Sequence, residues 1–463
     1  MKQVFILILC PFFMFGQTQT SENSNVFSLM NTYVPDNNFE QALIDFGYDT
    51  VLDDFVLTSN ITNLKSLDIS GREISDLTGI ADFVSLEELY CSNNSLQNLN
   101  TSSNIELKTL YCDHNLISGL DLSSNTSLLF LQGGNNKLTA LNVATNTRLI
   151  DLIVKNNNIT NLDVSKNVDL EWLDCFNNQL STLDVSSNSV LRRLNCSKNE
   201  LSNLNVNSVT TLEELYCWDN KLSALDISTN TSLQTLFCFT NNISSLDVSN
   251  NFAFYFLDCS FNNLNGLDVN NNVGLYFLYC SGNNLSDLDV SKNALLSTLK
   301  CDNNKLAGLD VSTNNNLKYL ECQNNSLTSL NVKNGNNTSF TFFKAINNEN
   351  LSCIEVDDAT YSDANWFEGK DADASFNENC ENLNLTYLRK NNFHIYPNPV
   401  QDNLNITLNK GLELKQINIY NLQSQYLYSV KTSKIDVSKL ASGMYFIEVE
   451  TNQGKLTKKV FIK

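Results

Sequence analysis

A unit of twenty-one residues recurs without a break from Leu89 to Leu330, and it constrains the fold more than any other feature of the chain. Stepping by that interval from Cys91 gives Cys112, Gly133, Val154, Cys175, Cys196, Cys217, Cys238, Cys259, Cys280, Cys301 and Cys322. Two residues before each, from Leu89 to Leu320, stands Leu, and three residues after each, from Asn94 to Asn325, stands Asn. Leu99 to Leu330 form another unbroken column, always followed by Asp or Asn. A further Asn column, from Asn104 to Asn314, is interrupted only at Val209. In L-x-x-L-x-C the apolar residues alternate, which is strand periodicity. A period this short, repeated this often, implies coils that stack on their neighbours around one continuous core.

Stacking places one strand per coil in a parallel sheet. The Asn after each strand is expected to bond backbone groups of its own and the adjoining coil. The L-D-V step alternates briefly, so a second extended segment is expected on the opposite face. Little room remains for an average helix of about eleven residues, so short extended or 3₁₀ pieces are expected there. Twelve coils at about 4.8 Å per strand span about 58 Å. The unit L-x-x-L-x-C-x-x-N-x-L-x-x-L-D-V-S-x-N-x-x resembles a leucine-rich repeat. That resemblance implies a β-rich leucine-rich repeat solenoid with a parallel β-sheet on its concave face.

The cysteine slot also holds Gly133, Val154 and the earlier Ile69, so it is read as a place for a small apolar side chain. Neighbouring cysteines on stacked strands lie at a separation that a disulfide tolerates. Their side chains point the same way, however, which is poor bridging geometry. No Cys-x₂₋₄-Cys pair suggests zinc, and no cofactor or metal is expected.

The solenoid, 64–340, needs capped ends. An N-terminal helical cap is expected over 18–63, with Asp36 capping a helix whose apolar face is Phe39, Ala42, Leu43 and Phe46. The first coil, "LKSLDISGREISDLTGIADFVS", is a 22-residue variant that resembles the internalin-type repeat, with Arg72 in place of the ladder Asn. A C-terminal cap is expected over 341–382, with Trp366 and Phe367 covering the last coil. Cys353 and Cys380 lie outside the ladder and are expected to form a disulfide in an exported protein. The acids Asp357, Asp358, Asp371 and Asp373 do not match an EF-hand and are read as solvated rather than calcium-binding.

Residues 1–17 read as a signal peptide: Lys2 precedes an apolar run that is too short to span a bilayer. Leu9 before Cys10 does not suit lipidation. After a linker, 383–392, the composition changes. The whole chain has a net charge of −20, but residues 387–463 carry 11 Lys+Arg against 5 Asp+Glu. Short alternating strands separated by Pro, Asn, Gly and Lys imply a small antiparallel Ig-like β-sandwich over 393–463. Tyr396-Pro397-Asn398-Pro399, the stretch from Leu440 to Phe446, and the terminal Lys459-Val460-Phe461-Ile462-Lys463 resemble the C-terminal sorting domain of type IX secretion. That resemblance implies the type IX machinery as a partner and a destination outside the cell or on its outer surface.

The acidic balance argues against nucleic acid as a partner, and no stretch suits a membrane span. Two histidines, His114 and His394, stand far apart, and no catalytic motif is present. An enzyme is not expected, and the Asp of the L-D-V step reads as part of the repeat. Positions flanking the inward Leu and Cys face the concave surface. They include Phe130, Trp172, Phe176, Tyr216, Trp218, Phe237, Phe239, Phe256, Phe277, Tyr279 and Tyr319, densest from Tyr216 to Tyr279. An apolar strip there marks an interaction surface, although β-propensity and cross-strand packing also select aromatics. The expected function is a secreted or cell-surface binding protein with a protein ligand on this strip. Carbohydrate binding is the alternative and glycan cleavage the remote one.

Overall fold

The structure, a computed structural model, describes residues 30–380, 393–408, 412–452 and 454–463. The expected signal peptide and linker lie outside these residues. Fourteen short parallel strands, from Ser66–Asp68 to Phe342–Lys344, form one sheet in strict chain order apart from the strands of a second sheet. Their register repeats the sequence period: Glu214 lies beside Thr235, Leu215 beside Leu236 and Tyr216 beside Phe237. Pairing runs on past residue 340, where Tyr319 lies beside Phe342. The segment expected as a C-terminal cap therefore contributes a strand to the main sheet. The central residue, Leu in thirteen of the strands and Phe343 in the last, points inward and is buried, while its two neighbours face outward.

The second extended segment pairs continuously only at the C-terminal end. Gly308–Asp310, Ser329–Asn331, Cys353–Glu355 and Ser375–Asn377 make a four-stranded parallel sheet. Earlier coils show only isolated bridges, Asn100 with Asp121 and Asp184 with Asn205. The chain then makes two successive three-residue turns instead of a helix, for example Asn146 N–H to Val143 C=O and Leu149 N–H to Asn146 C=O.

Two asparagine columns hold the coils together. Asn241 Nδ2 donates to the carbonyls of Cys217 in the preceding coil and Cys238 in its own, while its Oδ1 accepts from Leu222 N–H. This is the bonding within and between coils that the sequence led us to expect. In the second column, Asn167 Nδ2 donates to the carbonyls of Val143 and Asn146 in the coil before. Where Val209 interrupts the column, the Thr211 hydroxyl donates instead to the carbonyls of Ser189 and Leu191.

At the N-terminal end, the helix Asn37–Asp45 is capped by Asp36, and Phe39, Ala42 and Leu43 are buried. Phe46 is not on that face: it sits at the C-cap, 40 % exposed, with the Arg72 guanidinium 4.9 Å from its ring centroid. At the other end, Trp366 is buried against Phe340, Phe343 and Phe376. Phe367 begins a 3₁₀ turn and is 62 % exposed, so it is not buried over the last coil as Trp366 is. Cys353 and Cys380 are bonded, with Cα atoms 5.9 Å apart.

The C-terminal part has its own core, built on Phe393, Leu404, Ile417, Ile419, Ile447 and Val460. It consists of a three-stranded and a four-stranded antiparallel sheet. Two motifs that are distant in sequence meet here. Asn398 Oδ1 accepts from Phe461 N–H at 2.8 Å, and Asn398 Nδ2 donates to Lys459 C=O. Among the described residues, no helix is long and apolar enough to cross a membrane.

Candidate functional site

The ladder cysteines are packing residues. All ten are free and buried. Burial pushes their thiols up, to about 12 for Cys112 and Cys196, because a thiolate in an apolar core has lost its solvation. A thiol that is both inaccessible and held protonated is a poor nucleophile and a poor metal ligand.

The L-D-V carboxylates serve the repeat as well. Asp163 Oδ1 accepts from Ser165 N–H, and Asp184, Asp226 and Asp247 repeat the arrangement with Ser186, Ser228 and Ser249. These backbone hydrogen bonds hold the four carboxyls below the usual range. The acids near the C-terminal end are similarly engaged. Asp357 accepts from Gly335 and Asn337 N–H, Asp371 from Asn347 and Asn348 N–H, and Asp358 caps a helix.

The outward face of the main sheet carries the aromatic residues. All eleven singled out from the sequence are half-buried there. Seven form a connected cluster with a short extension. Tyr216 meets Phe237 edge-on at 5.2 Å, Phe237 meets Phe256 at 4.6 Å, and Phe256 meets Phe277 and Tyr279 at 4.8 and 5.0 Å. Trp218 stacks on Phe239 at 4.9 Å with 9° between the rings, and Phe237 joins Phe239 at 6.4 Å. Phe176 extends the cluster to Trp218 at 5.5 Å. Trp172 stands apart beneath Arg193, and Tyr319 stacks on Phe342. Among the described residues, Phe130 stacks on no other ring.

Charged groups are set between the rings. Lys198 Nζ lies 5.8 Å from the Phe176 ring centroid and 5.4 Å from that of Trp218. Lys300 bridges Tyr279 and Tyr319 in the same way. The Tyr216 hydroxyl donates to Glu214 at 3.0 Å; burial, aided by this carboxylate, pushes the phenol up to about 12. Burial among the side chains of the sheet also raises the carboxyls of Asp174 and Asp258.

Several residues of this surface escaped the sequence reading. Tyr90, Tyr111 and Phe342 occupy the same strand positions as the cluster, and Tyr90 meets Tyr111 edge-on at 5.2 Å. The register alone could have found them. Tyr255 and Tyr276 stack one residue before their strands, where alternation gives no warning. Phe261 is the least expected. It is 58 % exposed and has a left-handed φ of 53° at a position that Asn occupies in Asn135, Asn156 and Asn177. Its ring lies over Gly282, where an added Cβ would come within 2.6 Å of it. The sequence signal was the pair itself: Phe, then Gly, at one position of consecutive coils.

Residues 394–463 match the family described as the secretion system C-terminal sorting domain. The chain is a leucine-rich repeat solenoid with a type IX sorting tail, destined for the cell surface or the medium. The functional domain of InlJ from Listeria monocytogenes, described as including a cysteine ladder, is similar at TM-score 0.62 and 24% identity, covering 94% of this chain and 99% of that one. An internalin, InlF, from Listeria monocytogenes is similar at TM-score 0.60 and 20% identity, over 65% of this chain and 94% of that one. The Arabidopsis receptor kinase HAESA, in complex with the peptide hormone IDA and a co-receptor, is similar at TM-score 0.56 and 22% identity, over 69% of this chain and 59% of that one. No curated protein sequence matches the chain.

Proposed function

We propose that the solenoid is a binding module whose concave aromatic face takes a protein ligand outside the cell. The observation that supports this most is the aromatic cluster on consecutive strands from Glu214–Tyr216 to Phe277–Tyr279. Nothing in the described chain covers it, and aromatic rings of this kind anchor protein interfaces. HAESA, of the same fold, holds a peptide hormone.

The ring arrangement favours protein over glycan. A sugar ring stacks on a free aromatic face. Here many faces are already taken, as between Trp218 and Phe239, or are capped by Lys198, Lys300 and Arg193. Hydroxyls and charges of both signs stand among the rings, which suits side chains and backbone. The reading is of binding rather than catalysis, because the repeated Asp residues are spent on turns.

The test is affinity capture from the extracellular surroundings of the producing cell. The mature chain is compared with a variant carrying Tyr216, Trp218, Phe237 and Phe239 changed to Thr, its folding checked by circular dichroism. The proposal expects a polypeptide retained by the native face and lost from the variant. Identical capture by both would refute it, and binding on a glycan array that is lost in the variant would replace protein with carbohydrate.

A further inference from the structure

Three carboxylates converge in the N-terminal cap, away from the aromatic face. Glu40 lies on the helix Asn37–Asp45 and is fully buried. Its Oε1 accepts from Asp53 N–H at 2.8 Å and Phe55 N–H at 3.1 Å, while its Oε2 is buried with no hydrogen-bond partner. Asp49 Oδ1 accepts from Thr50 N–H, and its Oδ2 is also buried without a partner. Asp53 lies across from both on the exposed side. One oxygen from each of the three residues lies within 4.8 Å of the others. Among the described residues, no ion pair reaches any of them.

A buried carboxylate with an unmet oxygen is costly, and a second carboxylate aimed at the same space adds repulsion. A cation at the centre removes both costs. The donors are all oxygen, which selects a hard cation and not zinc. Oxygens at about 2.3–2.6 Å from a common calcium lie no more than about 5.2 Å apart, so this spacing fits without rearrangement. Because Asp53 is exposed and Asp49 half-buried, water can reach the site and complete six to eight ligands. Magnesium demands a tighter octahedron at about 2.0–2.1 Å.

We propose that Glu40, Asp49 and Asp53 form a calcium site that fastens the cap helix to the loop leading into Phe55–Leu57. Binding at the level of extracellular modules, a Kd of about 10⁻⁴–10⁻³ M, is expected. The test is calorimetric titration of the full mature chain with calcium chloride after chelation, beside Asp49→Asn/Asp53→Asn. Both substitutions lie outside the core, so the variant keeps its fold. Glu40→Gln is the second variant. The native chain is expected to bind one calcium more than the double variant. Its melting temperature should rise with calcium, and less with equal magnesium, while that of the double variant does not. Equal calcium stoichiometry in both chains, or a melting temperature indifferent to calcium at about ten times the upper Kd, would overturn the proposal.

Discussion

Most interior coils carry two ladder asparagines, and the two columns differ in how well they are satisfied. Asn241 meets backbone groups of two coils with both ends of its amide. Asn241→Ala strands these groups in the core and is expected to cost about 2–5 kcal/mol, read as a lower urea midpoint. In the second column, the Oδ1 atoms of Asn146, Asn167 and Asn188 are buried without a partner, whereas Asn125 Oδ1 accepts from the Thr101 hydroxyl. Val143 holds the position toward Asn167 that Thr101 holds toward Asn125. Burying a hydroxyl in place of a methyl ordinarily costs about 1–3 kcal/mol. Val143→Thr is expected instead to leave stability unchanged or to raise it by up to about 1 kcal/mol, because the hydroxyl gains a waiting acceptor. A full Val→Thr penalty in urea unfolding would contradict this. The cysteine ladder adds a dependence on pH. The folded thiols titrate above the unfolded ones, so their stabilisation is complete below the unfolded thiol pKa of about 8.5 and is lost as pH rises toward the folded values. The urea midpoint should fall from about pH 9 upward, by at most about 1.4 kcal/mol per pH unit for each thiol. Cys112→Val with Cys196→Val should flatten the fall.

At the scale of elements, one carboxylate serves both the cap helix and the first coil, beside the Arg72–Asp45 ion pair and the Phe39–Phe83 contact. Asp36 Oδ1 accepts from Asn38 and Phe39 N–H, and Oδ2 accepts from Ser75 N–H, the Ser75 hydroxyl and Asp76 N–H. Asp36→Ala removes a helix cap and a docking point together, at an expected cost of about 2–4 kcal/mol. Faster hydrogen exchange at Ala42 and Leu43, with the distant coils unchanged, would locate that loss. Phe261 sits in a conformation that suits Asn. Phe261→Asn is therefore expected to stabilise its coil by about 1 kcal/mol; a lower melting temperature would mean that the ring contributes packing. These elements also mark how far the sequence could be read. Strand register and asparagine bonding followed from the period, because each repeats a local rule; the cap helix followed from one apolar spacing, and the disulfide from two cysteines that stand outside the ladder. Phe46 and Phe367 were misplaced because helical spacing does not reveal where a helix ends. Tyr255, Tyr276 and Phe261 lay off the alternating positions, so strand alternation was blind to them. The calcium-site carboxylates come from a helix and the loop after it, and only folding brings them together.

At the scale of the whole molecule, the two parts divide the work. The sorting domain directs export. A chain lacking residues 393–463 is expected to accumulate in the periplasm, as fractionation would reveal. The solenoid presents a stiff surface, since every coil is bonded to the next through backbone and asparagine alike. The proposed role of its aromatic face in binding a protein is tested most directly by photo-crosslinking outside the cell. A benzophenone amino acid replaces Phe239 on the aromatic face in one chain and Thr231, exposed on a turn outside the main sheet, in another. The account expects a polypeptide adduct from Phe239 and none from Thr231. An adduct from Thr231 alone, or none from either, would contradict it.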